Sequence, residues 1–99
     1  MSQMFYNCAK FNQTLASWST ANVLNMSALF QGCTIFNQPL NTWSTVKVTN
    51  MSSMFKNCTA FNGLLTGWTT TALTITDGMF SGCANFNQAI NHLNVASVT

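Results

Sequence analysis

Charged residues are nearly missing from this 99-residue sequence, which has no arginine, no glutamate, one aspartate and three lysines. They make up 4% of the chain, whereas an average soluble domain has roughly 25%. A nucleic-acid surface needs clustered lysine and arginine side chains, and this chain cannot supply them. Acid–base catalysis needs titratable groups, and His92 and Asp77 are the only histidine and the only carboxylate residue. We therefore expect a non-enzymatic protein without a cofactor.

Long apolar runs are missing as well. No stretch reaches the ~18 uninterrupted apolar residues of a transmembrane helix, so we expect no membrane span in this segment. The first residues show no basic start followed by an apolar stretch, so no signal peptide is visible. Apolar residues nevertheless make up 47% of the chain, which is too many for a disordered segment. The length leaves room for one small domain, and we predict a single domain over residues 1–99.

An internal repeat of 25 residues organises the whole sequence. The four cysteines, at positions 8, 33, 58 and 83, keep this step, and so do columns of phenylalanine, asparagine and tryptophan. Two aliphatic columns keep it too: Leu15, Leu40, Leu65 and Ile90; Val23, Val48, Leu73 and Val98. The step divides the chain into repeats 1–25, 26–50, 51–75 and 76–99. Because the chain starts in register and stops one residue short of a full repeat, we expect a segment of a longer array.

The pattern within one repeat predicts a short helix followed by strands. Met26, Leu29, Phe30 and Cys33 have the i, i+3, i+4, i+7 spacing of one helix face. Candidate N-caps are Ser27, Ser52 and Asp77, and candidate left-handed closing residues are Gly32, Asn57 and Gly82. The Trp-, Thr- and Val-rich stretch 40–51 predicts one or two short strands. Since one repeat cannot close a core alone, we predict a right-handed α/β repeat solenoid with parallel strands pairing between coils.

The cysteines have three interpretations. A zinc site needs four sulfur atoms around one point, but one cysteine per coil predicts a line, so we expect no metal. Neighbouring Cα atoms in stacked coils fall within disulfide range, which leaves the pairs Cys8–Cys33 and Cys58–Cys83 open. We favour buried free thiols, because Cys33 completes the apolar helix stripe and free cysteine behaves as a small hydrophobe.

The aromatic and asparagine columns are interpreted as structural ladders. A stacking platform needs exposed rings, and binders of single-stranded nucleic acid add a basic groove, which is missing here. Each asparagine directly follows a core phenylalanine, which favours an internal ladder that bonds turn backbone groups. The predicted ladder residues are Cys8, Cys33, Cys58, Cys83, Phe5, Phe30, Phe55, Phe80, Phe11, Phe36, Phe61, Phe86, Asn12, Asn37, Asn62, Asn87, Trp18, Trp43 and Trp68.

Two threonine columns give a further hypothesis. They contain Thr20, Thr45 and Thr70, and Thr49, Thr74 and Thr99. Regular threonine rows on an uncharged surface can match an ice lattice, but threonine is also common in strands for packing reasons. Because the two columns lie four residues apart, they need not share a face, and we favour the packing interpretation.

The run from Phe30 to Met51, FxxCxxFNxxLxxWxTxxVTNM, resembles a known bacterial surface-protein repeat. That repeat is found in mycoplasma-type lipoproteins and in relatives of the BspA-like leucine-rich-repeat surface proteins. The resemblance covers the whole chain, with departures at Ile75, Thr76 and Leu93. It implies a leucine-rich-repeat-like solenoid on a secreted or surface-anchored protein, with adhesion or host contact as the usual role. It brings no catalytic residues.

Two functional hypotheses remain. The first is an extracellular surface repeat protein that presents a regular, uncharged face to a protein or glycan partner. The second is a structural subunit of a fibre, cell-surface layer or virion surface, assembled from copies stacked end to end. Non-repeating exposed residues on one coil face would favour a binding module, whereas near-uniform repetition leans slightly towards a scaffold.

Overall fold

The computed structural model describes residues 1–88, where the chain winds into coils of 25 residues that lie over one another. The coils are coil 1 (residues 1–25), coil 2 (26–50), coil 3 (51–75) and the described part of coil 4 (76–88). The backbone N–H of Phe5 donates to the carbonyl of Leu29, that of Phe30 to Met54, and that of Phe55 to Met79. Each donor thus bonds a residue 24 positions later. Ile90, Leu93, Val98, Thr99 and His92 lie outside the described residues.

Tight turns, and not helices or strands, make up the described part of the chain. Turns occupy residues 2–7, 27–32, 52–57 and 77–82, and residues 1–88 contain no α-helix. Strand-like pairing is limited there to isolated parallel bridges that join Asn25 to Asn50 and Asn50 to Ile75. The predicted α/β fold, with a helix and parallel strands in each leucine-rich-repeat-like coil, is therefore wrong. So is the strand assignment over 40–51.

Left-handed backbone residues explain why the predicted helix does not form. In coil 2, Ala28 has φ +53° and Gly32 has φ +80°, whereas a right-handed helix needs negative φ at every residue. Residues 28, 30 and 32 donate their N–H groups to coil 3, and the intervening N–H groups close turns within coil 2. The bonds that a helix would make along the segment are thus replaced by bonds between coils and by four-residue turns. Met26 and Cys33 are nevertheless fully buried, because the turn series also places this spacing inside.

Asparagine side chains occupy the place of the predicted serine caps. The N–H of Ser27 donates to Oδ1 of Asn25 at 2.8 Å, and that of Ser52 to Oδ1 of Asn50 at 2.9 Å. These are side-chain turns of the kind asparagine forms readily. Ser27 and Ser52 therefore act as backbone donors and cap no helix.

The seventh residue of each coil alternates between asparagine and glycine: Asn7, Gly32, Asn57 and Gly82. All four have positive φ, a region that suits glycine and asparagine. A Cβ atom on Gly32 would collide with Oδ1 of Asn7, and one on Gly82 with Oδ1 of Asn57. Each asparagine side chain thus fills the space that a side chain in the next coil would need.

Replacing Gly32 by alanine is expected to lower the free energy of unfolding by about 1–3 kcal/mol, because alanine is strained at this φ and meets Asn7. In an Asn7→Gly background the collision disappears and only the strain remains. Urea unfolding of the four proteins in this cycle should give a coupling energy of about 0.5–3 kcal/mol. Strictly additive losses would contradict the contact between the two positions.

Two ladders of phenylalanine rings run through the centre of the stack. Successive rings in the column Phe5, Phe30, Phe55 and Phe80 have centroids 5.6 Å apart. Those in the column Phe11, Phe36, Phe61 and Phe86 are 5.7–5.8 Å apart. Within each coil the two rings stack at 4.1–4.4 Å. Offset stacking at such distances adds to the effect of apolar burial.

Candidate functional site

The tryptophan column lies mainly inside the stack and offers no broad stacking platform. Trp43 and Trp68 are 1% and 2% exposed, whereas Trp18 in coil 1 is 40% exposed. The indole N–H of Trp43 donates to the Leu15 carbonyl at 2.8 Å, and that of Trp68 to the Leu40 carbonyl at 2.9 Å. Each indole therefore packs in one coil and bonds to the previous one, which satisfies its buried polar atom.

The cysteines are all free thiols, and three of them also link successive coils. The Sγ atoms of Cys33 and Cys58 each donate to a phenylalanine carbonyl of the previous coil at 2.9 Å, and Cys83 does so at 2.8 Å. Cys8 in coil 1 is exposed. Among residues 1–88, no three His, Cys, Asp or Glu side chains come close enough together to hold a metal ion.

Burial raises the pKa of Cys33 to about 11 and that of Cys58 to about 12. Burial also raises the pKa of Cys83. The thiolate is the reactive form of cysteine, so these side chains stay protonated and unreactive at neutral pH. These three cysteines suit structural linking better than nucleophilic chemistry.

Stability should therefore fall in alkaline solution. A thiol whose pKa is raised by folding contributes stability that is complete below its unfolded pKa, near 9, and is lost as the pH rises towards about 12. We expect the urea midpoint to drop between pH 9 and pH 11. Cys58→Ala removes this thiol and leaves all other titratable side chains in place, so the midpoint of this variant should show a shallower drop. Equal slopes for the two proteins would contradict a role for Cys58.

A row of side-chain amides runs up the outside of the coils, next to the Phe11 column. The N–H of Asn37 donates to Oδ1 of Asn12 at 2.9 Å. Asn62 donates in the same way to Asn37, and Asn87 to Asn62, both at 2.8 Å. The asparagines do bond backbone groups of the turns, but all four are exposed and not internal as predicted.

Two glutamines, which the sequence analysis missed, complete this amide row. Nε2 of Gln38 donates to the main-chain O and to Oδ1 of Asn12, at 3.0 and 3.2 Å. Gln88 makes the same pair of bonds to Asn62, at 3.0 and 3.1 Å. The available signal was the tripeptide Phe-Asn-Gln, which recurs at residues 11–13, 36–38 and 86–88.

The amide row has both hydrogen-bond donors and hydrogen-bond acceptors that make no bond between coils. The Oδ1 atoms of the asparagines accept hydrogen bonds from the next coil. Within residues 1–88 their Nδ2 groups donate no hydrogen bond. The glutamines use Nε2, and their Oε1 atoms have no donor in the same part of the chain. Exposed donors and acceptors without charge thus recur along the stack and can meet amide or hydroxyl groups of another molecule.

The threonine columns face different environments. Thr20 and Thr45 are buried, and their hydroxyls donate to the carbonyls of Ser44 and Thr69 in the next coil. Thr49 and Thr74 are exposed, and each donates to a carbonyl of the previous coil at 3.2 Å. The buried column cannot contact an ice surface. The two columns do not form one threonine face.

The described residues contain no helix long and apolar enough to cross a membrane. A family model described as "Mycoplasma protein of unknown function, DUF285" matches residues 1–99. No curated protein and no solved structure matches the chain. The match confirms the resemblance to mycoplasma-type proteins at the level of the family and leaves the leucine-rich-repeat part of that resemblance without support.

Proposed function

Since the chain belongs to the Mycoplasma protein family DUF285, we propose that it is a non-enzymatic, extracellular surface module that binds a protein or glycan through the amide row. The observation that carries this proposal is the set of exposed Nδ2 and Oε1 groups left over from the bonds between coils. The likeness of the repeat to BspA-like surface proteins supports a location at the cell surface. Adhesion is the role that such a location would serve.

The partner of the amide row should be neutral and polar. The whole chain has four charged side chains. One of them, Lys47, donates to Oδ1 of Asn22 at 3.1 Å. Amides hydrogen-bond to hydroxyl and amide groups without ion pairing. Binding should therefore change little between low and high salt, because screening acts on charges.

Asn37→Asp is the sharpest test of the amide row. Aspartate keeps an oxygen for the N–H of Asn62 but replaces the Nδ2 donor by a charged acceptor. On a panel of immobilised glycans and extracellular-matrix proteins, binding of this variant should weaken by about tenfold, equivalent to ~1.4 kcal/mol. Asn22→Asp adds the same charge beside Lys47, outside the row, and should bind like the unmodified chain. Equal losses in both variants, or binding by neither the chain nor the control, would contradict the proposal.

The second candidate is a structural subunit formed by end-to-end stacking. It is favoured by the direction of the backbone bonds in the turn series: the N–H groups of the third, fifth and seventh residues of a coil donate to carbonyl groups of the next coil. The turn series of a coil thus presents donors on one side and acceptors on the other, so copies can repeat by translation without closing. Sedimentation velocity over a range of concentrations should show growth into long species. A monomer at all concentrations would contradict this candidate.

A further inference from the structure

A cavity of about 280 Å³ lies at another corner of the stack, where coils 2 and 3 meet. Residues 41–46 of coil 2 line one side, and Gly67 and Thr69 of coil 3 line the other. Trp43 is buried beneath it, and Val46 is exposed at its edge. The cavity is separate from the amide row, because it involves a different set of turns in each coil.

Gly67 lines this cavity at a position where the repeat otherwise has a larger residue. The equivalent residues in coils 1 and 2 are Ser17 and Thr42, and the Thr42 hydroxyl bridges to the Ala16 carbonyl at 2.9 Å. Gly67 carries no such side chain, and a Cβ atom there would collide with the carbonyl oxygen of Asn41. The sequence therefore departs from the repeat where the cavity forms.

The lining of the cavity is uncharged and combines polar with apolar groups. The side chains of Asn41, Ser44 and Thr69 make no hydrogen bond to residues of the described region, so their amide and hydroxyl groups remain available. No lysine or aspartate lines the cavity. An anion would find no cation and a cation no carboxylate, and an apolar ligand would leave polar groups unpaired.

The volume of the cavity limits the size of the ligand. Pockets for drug-sized molecules start at about 300 Å³, so this cavity suits a molecule of a single ring. An uncharged sugar ring combines hydroxyl groups, which suit Asn41, Ser44 and Thr69, with an apolar C–H face, which suits Val46. We infer that the cavity binds one neutral hexose unit of a glycan. This inference rests on the proposed surface-binding function and names the ligand class of a second site within it.

The test is a titration of the ¹⁵N-labelled chain with glucose, galactose, mannose and N-acetylglucosamine, followed by NMR. At least one sugar should shift the amide signals of residues 41–46, Gly67 and Thr69 in a saturable way, with a dissociation constant of about 1 mM. Ser44→Leu fills the cavity and should weaken binding by about tenfold or more. Ser19→Leu makes the same change at the equivalent position of coil 1, outside the cavity, and should bind like the unmodified chain.

No saturable shift with any of the four sugars would overturn the inference, and so would equal weakening by Ser44→Leu and Ser19→Leu. These outcomes differ from a failure of the proposed function. If the cavity binds no sugar while Asn37→Asp still weakens binding to the immobilised panel, the amide row stands and the cavity inference falls. If the sugars bind in the cavity and Asn37→Asp changes nothing, the amide row falls and the cavity inference stands.

Discussion

Replacing Phe55 by alanine is expected to remove about 3–5 kcal/mol of unfolding free energy, which is a large part of the 5–15 kcal/mol typical of a domain. Phe55 is fully buried. Its ring stacks on Phe30 and Phe80 at 5.6 Å and on Phe61 at 4.2 Å. The substitution leaves a gap in one ladder and removes a stacking partner from the other, because neighbours above, below and beside the ring lose their contacts. Urea unfolding measures the loss.

Phe80→Ala is the matched control for this prediction. Phe80 occupies the same column in coil 4 but is only partly buried, and its ring stacks on Phe55 and Phe86. The loss should be clearly smaller than for Phe55, since fewer contacts disappear and water can enter the gap. A loss at Phe80 equal to or larger than that at Phe55 would contradict the view that the inner rings hold the coils together.

Replacing Thr76 by valine is expected to stabilise the protein, although most substitutions destabilise. Thr76 is 4% exposed, and its Oγ1 is buried without a hydrogen-bond partner among the described residues. The equivalent positions in the other coils are Met1, Met26 and Met51. An unpaired buried polar group costs about 1–3 kcal/mol, and valine keeps the shape while it removes the hydroxyl.

Thr45→Val makes the same chemical change where the hydroxyl is used. Thr45 is also buried, and its Oγ1 donates to the Thr69 carbonyl at 3.1 Å. This variant should be less stable by about 1–3 kcal/mol, because a carbonyl between coils loses its donor. In thermal unfolding the midpoint should rise for Thr76→Val and fall for Thr45→Val, by about 4–8 °C per kcal/mol for a chain of this size. A fall in both would disprove the assigned cost of the Thr76 hydroxyl.

The sequence could predict which columns lie inside, but it could not predict the backbone between them. The i, i+3, i+4, i+7 spacing of Met26 to Cys33 fits a helix and also fits a series of tight turns. What separates the two is the positive φ at the third and seventh residues of each coil. At the third position the residues are Gln3, Ala28, Ser53 and Gly78. Glycine alone among them favours this conformation. The sequences of the other three coils therefore do not indicate a positive φ at this position.

The candidate site was only partly predictable for a similar reason. The recurrence of Asn37 and its equivalents indicated a hydrogen-bonding ladder. Their exposure depends on where the turn after Phe36 directs the chain, which no spacing rule specifies. Gln38 and Gln88 do not form a complete column in the sequence, because Gly63 occupies the equivalent position in coil 3. The cavity depends on the close approach of Gly67 to Asn41, a contact between coils that follows from the stacking geometry alone.

The backbone bonds that the turn series make between coils share one direction, which gives this part of the stack an electrical polarity. Each peptide group carries a dipole of about 3.5 D, and aligned groups add. Because N–H groups of the turn series point towards the later coil, the positive pole lies on the side of coil 4 and the negative pole on the side of coil 1. The four charged side chains follow this order: Lys10, Lys47 and Lys56 belong to coils 1 to 3, and Asp77 belongs to coil 4. The carboxylate thus lies towards the positive pole of the backbone dipole and the lysines lie on the side of the negative pole, which is the favourable arrangement. Moving the carboxylate to coil 1 would place it at the negative pole, which is unfavourable.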